Sequence, residues 1–86
     1  MTKLRLFSIY DSAISAFLQP FWSDHKANAI RSFQRVVNDK SDANNMVAAH
    51  PDQFVLFELG EFDQPTGVFS SHQTPLSLGN GVEYVK

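Results

Sequence analysis

The chain has 86 residues, 43% of them hydrophobic, no cysteine and a formal net charge of −2. That length bounds it to one domain with a small core, and the missing cysteine excludes disulfides, thiolate metal sites and thiol catalysis. The longest apolar runs, such as Phe54–Phe57, fall far short of the ~20 residues of a bilayer span, so no membrane partner is expected, and the N-terminus lacks the apolar stretch of a signal peptide.

Residues 3–10 alternate as a first strand. Leu4 and Leu6 share one face, and Phe7 and Ile9 share the other, so the apolar face switches in mid-strand. That switch predicts a bulge or burial on both sides. Asp11-Ser12-Ala13 reads as a turn, and residues 14–19 return as a second strand ended by Pro20. Phe21 and Trp22 lead into a helix capped by Ser23 or Asp24 and running to Val37 or Asn38. Its apolar stripe is Ala27, Ala29, Ile30, Phe33, Val36 and Val37. Residues 38–45 are a polar loop, and Met46–Ala49 form one short turn stopped before Pro51.

Residues 53–62 give the strongest strand. Val55, Phe57 and Leu59 fall on one face, with Phe54, Leu56, Glu58 and Phe62 on the other. Asp63–Gly67 is a hairpin loop and Val68–Ser70 returns. Residues 72–86 read as a loosely ordered tail of the single domain 1–86, with a final strand at Val82–Val85. The fold class is therefore α+β, a small antiparallel sheet in β-β-α-β-β order with one main helix packed on one face. Phe54 and Leu56 lack an obvious cover, which makes them the expected oligomer interface of a homodimer or larger assembly.

Catalysis is poorly supported, and no enzyme activity, cofactor or metal is expected. His25, His50 and His72 are isolated and have no metal-ligand spacing. Glu58 and Glu61, three apart in a strand, fall on opposite faces and make no acid/base pair. Nucleic-acid binding has more support because the charge is unevenly spread. Residues 1–40 carry six bases and three acids, net +3, whereas residues 41–86 carry one base and six acids, net −5. Single-strand binders combine basic grooves with aromatic platforms. Here Lys3, Arg5, Lys26, Arg31 and Arg35 are the candidate phosphate contacts, and Tyr10, Phe21 and Trp22 the candidate stacking residues. Lys3, Arg5 and Phe7 can share one sheet face. Ordinary packing accounts equally for Phe7 and Phe33 as core, Trp22 as a helix-entrance residue and the arginines as a solvated helix face.

The strings Leu6–Ser12, Gln19-Pro20-Phe21, Val37-Asn38-Asp39, His50-Pro51-Asp52, Leu56–Gly60, Phe62-Asp63 and Thr66-Gly67 follow one another in an order of some specificity. On these the chain resembles the small nonstructural protein of gokushoviruses, single-stranded DNA bacteriophages of the Microviridae. The resemblance spans residues 3–70 and extends to Pro75–Gly79. It implies a DNA-binding protein of the host bacterial cytoplasm, acting in the switch to single-stranded genome synthesis and packaging, with single-stranded DNA as partner. It assigns no DNA contact to any residue. The alternative is an oligomeric adaptor that binds a viral or host replication or capsid protein without touching DNA, which the net negative charge favours.

Overall fold

The computed structural model describes residues 3–86. Five strands form one antiparallel sheet: β1 (Lys3–Asp11), β2 (Ala16–Phe17), β3 (Phe21–Ser23), β4 (Phe54–Asp63) and β5 (Val68–Asn80). Helix α1 (Lys26–Asn38) and the one-turn α2 (Met46–Ala49) lie between β3 and β4, with 3₁₀ turns at Pro51–Gln53 and Gly81–Tyr84. The α+β class read from the sequence is the class observed. The sheet order is β2-β1-β4-β5, and β3 pairs with the same side of β1 as β2.

The predicted second strand, residues 14–19, shortens to Ala16–Phe17, and Phe21–Ser23, expected to lead into the helix, forms a further strand. Pro20 has no amide hydrogen to offer a ladder, so pairing stops after Phe17 and resumes at Phe21, where Phe21 faces Phe7 and Trp22 faces Leu6. The helix begins later than its polar signals suggest. Ser23 Oγ donates to the His25 carbonyl and Asp24 accepts from the Asn28 side chain, so neither caps the helix backbone and His25 stands at the N-cap without a side-chain bond. The bond from Asn28 also holds the Asp24 carboxyl below its ordinary pKa.

The mid-strand switch in β1 has both expected causes. The β1–β4 register shifts between Leu6 and Phe7, where Leu6 faces Gly60 and Phe7 faces Glu58, leaving Leu59 as the extra residue. Phe7 and Ser8, consecutive and on opposite faces, are both fully buried, and the Ser8 hydroxyl donates to the Leu18 carbonyl at 2.6 Å. The core lies between α1 and one sheet face: Phe7, Phe54 and Leu56 against Ala29, Phe33 and Val37, with Val47 of α2. Each large apolar side chain so buried contributes roughly 1.5–3 kcal/mol.

This overturns the expected oligomer interface. Phe54 and Leu56 are 3% and 0% exposed, because their face of β4 is the one α1 covers, and neither is available to a partner. The final strand expected at Val82–Val85 is also replaced. Residues 72–80 continue β5, and Gly81–Tyr84 form a 3₁₀ turn closed by a capping box between Asn80 and Glu83.

Candidate nucleic-acid interface

With α1 on one side, the other sheet face is open. The bulge at Leu59 determines what it carries. An extra residue in one strand inverts the facing of everything beyond it. Phe62 therefore leaves the face of Phe54 and Leu56 and joins that of Val55 and Phe57. Cross-strand pairing brings Leu4 opposite Phe62, Phe62 opposite Phe69, Leu6 opposite Trp22 and Tyr10 opposite Phe17. The rings collect in two clusters. Tyr10, Phe17 and Phe57 meet edge to face, with centroids 5.0–6.2 Å apart. Trp22 meets Phe62 at 5.8 Å and Phe69 at 6.1 Å. Phe17, Trp22 and Phe69 are 42%, 50% and 45% exposed. No charged side chain occupies the open-face positions Leu4, Leu6, Ser8, Tyr10, Phe17, Trp22, Val55, Phe57, Phe62 and Phe69.

The structure separates the residues proposed from sequence for DNA contact. Tyr10 and Trp22 sit on the open face. Phe21 is on the covered face, its ring 5.9 Å from that of Phe7. Lys3 and Arg5 do share a face with Phe7, but it is the helix-covered one, where Phe7 is core and cannot stack on a base. The same bulge places Glu58 and Glu61 together there, contrary to their simple strand spacing. Lys3 reaches Glu61 at 3.6 Å, and Arg5 spans Glu61 at 3.0 Å and Glu58 at 3.2 Å. Glu58 is 4% exposed and also holds His72 Nε2 at 2.6 Å. Buried carboxylates occur where they are paired, and here two bases serve that need. Lys26 lines a cleft of about 540 Å³ beside Arg5, His25 and Glu58.

Arg31 and Arg35 project from the outer side of α1, one turn apart and away from Ala29, Phe33 and Val37. The sequence reading missed Phe17, Phe57, Phe62 and Phe69 as open-face residues. The signal that could have found Phe62 is Gly60, because a glycine inside a strand often marks a bulge. Among the described residues no group of three or more His, Asp or Glu side chains is placed to hold a metal ion, and no helix is long and apolar enough to cross a membrane.

One main helix backing an antiparallel sheet, with the second sheet face left uncovered, defines a two-layer α+β protein with one exposed aromatic layer. Over residues 4–84 the chain matches the phage ORF5 protein family, and it belongs to that family. No curated protein and no solved structure matches it.

Proposed function

We propose that this phage protein is a non-enzymatic binder of single-stranded DNA, and that bases stack on the open aromatic face of its sheet. The observation that carries the reading is the set of six rings in two clusters on that face, three of them close to half exposed. Every base offers a π-face, so such a platform holds single strands with little regard to sequence. In a gokushovirus setting the protein would act in the host cytoplasm, in the switch to single-stranded genome synthesis and packaging. Tyr10 and Trp22 keep the stacking role proposed for them, and Phe17 and Phe69 replace Phe21.

Trp22 is the one tryptophan of the chain, so its fluorescence reports the platform directly. Titration with oligothymidylate is expected to quench it, and Phe69→Ala is expected to weaken binding by about 1–3 kcal/mol, the usual worth of one stacked base. An unchanged tryptophan signal at saturating oligonucleotide and low salt would sink the reading.

The second reading is an adaptor that covers this face with a viral or host protein, or with a second copy. The lack of charge on the face favours it, since charged residues are depleted at the centres of protein interfaces. Pull-down with and without nuclease separates the two: a protein partner retained after nuclease treatment supports the adaptor.

A further inference from the structure

Folding does not gather the basic half of the sequence onto one surface. It neutralises Lys3 and Arg5 against glutamates and collects Arg31, Arg35 and Lys86 on the outer side of α1, across the fold from the aromatic face. Arg31, Arg35 and Lys86 line a cleft of about 550 Å³ with Gln34, Asn38 and Asp39. Their side chains sum to +3 with one acid against them. Asp39 is turned toward the following loop, where its Oδ1 accepts from the Ser41 amide at 3.0 Å and from the Ser41 hydroxyl. Those bonds hold its carboxyl below the ordinary pKa.

The Arg31 guanidinium and the Lys86 backbone are held in place. Arg31 donates to Asn28 Oδ1 at 3.0 Å. Lys86, 48 residues distant in sequence, is brought to the end of α1 by Asn38. The Asn38 amide donates to the Tyr84 carbonyl at 2.9 Å, and its oxygen accepts from the Lys86 backbone amide at 2.9 Å. Arg31 and Arg35 have no carboxylate partner among the described residues, in contrast to Arg5.

A guanidinium pair one helical turn apart with a lysine beside it suits successive phosphates. We infer that this outer cleft of α1 is a second, separate phosphate site, which takes a further stretch of single-strand backbone while the aromatic face holds another. One chain would then hold two segments of strand on opposite sides of its two-layer fold. The inference rests on the proposed stacking role for the first segment only.

The test is a titration of ¹⁵N-labelled chain with tetrathymidylate, too short to run from one side of the molecule to the other, followed by NMR. Two groups of signals are expected to move: the Trp22 indole N–H, and the Arg31 and Arg35 side-chain N–H groups with the Lys86 amide. Raising salt from 50 to 200 mM should weaken the second group about twentyfold for roughly three phosphate contacts, and the first group less. Arg31→Ala with Arg35→Ala, both exposed positions, should abolish the second group's response and leave Trp22 responsive. If the cleft signals stay still while Trp22 moves, the second site is overturned and the stacking role stands. If the cleft responds and Trp22 does not, the stacking role fails and the phosphate site stands. If neither moves, both fail.

Discussion

At the scale of single residues, the bulge at Leu59 and Gly60 decides most of what the molecule presents. Gly60 is buried where β4 and β5 approach closely. A Cβ there would lie 2.5 Å from the Ser70 carbonyl oxygen and 2.9 Å from Ser71 Cα, both backbone atoms that cannot rotate away. Gly60→Ala is expected to cost about 1–3 kcal/mol by forcing the strands apart, read as a lower urea midpoint. An unchanged midpoint would contradict the close approach. The same bulge brings Glu58 and Glu61 to Arg5. Arg5→Ala leaves the buried Glu58 with His72 as its partner, at an expected cost of about 1–3 kcal/mol. Lys3→Ala removes an exposed pair at 3.6 Å, and should cost under about 1 kcal/mol. Equal losses from the two variants in parallel denaturation curves would show that burial of Glu58 is not what gives the Arg5 pair its weight.

At the scale of elements, the parts legible in the sequence were those whose periodicity survives to the surface. The first strand, the main helix and the β4 strand with its Asp63–Gly67 turn all stand within a few residues of their expected bounds. The stripe of Ala29, Phe33 and Val37 is indeed the buried side of α1. What could not be read is local in cause. β5 is an edge strand whose residues 72–75 bulge out between the pairs Gly60–Ser71 and Glu58–Leu76, so its alternation is broken and its length was invisible. Of the two short strands, β2 lies within the expected residues 14–19, and β3 was hidden behind Pro20. The candidate DNA site was legible as residue types but not as a surface: the covered face absorbed Phe21, ion pairs took Lys3 and Arg5, and Lys86 came from the far end of the chain. The joint that brings Lys86 in is testable. The Asn38 side chain bonds the Gln34 and Tyr84 carbonyls and the Lys86 amide. Asn38→Ala is expected to cost about 1–2 kcal/mol and to speed hydrogen exchange at the Lys86 amide. Unaltered exchange there would mean that other contacts hold the C-terminal segment.

At the scale of the whole molecule, an elongated body of 42 × 24 × 20 Å carries its apolar and basic surfaces on opposite sides. Self-association, expected from the sequence, can no longer use Phe54 and Leu56. The exposed rings of the open face are the surface that would gain most from cover, because exposed aromatic area is the costliest to leave in water. Two copies meeting there would bring no like charges together, since that face carries none. Stacked bases need the same rings, so self-association through this face and strand binding exclude one another. Raising protein concentration at fixed oligothymidylate should therefore weaken apparent binding, and adding oligonucleotide should shift any dimer toward monomer in sedimentation velocity. Phe69→Ser should weaken both processes together, with little change in stability because the ring is 45% exposed. A complex of two chains with one oligonucleotide, formed without loss of affinity as protein concentration rises, would place the contact between copies elsewhere. The free outer edge of β5 is then the surface to examine, since its unpaired backbone groups can extend a sheet into a second copy.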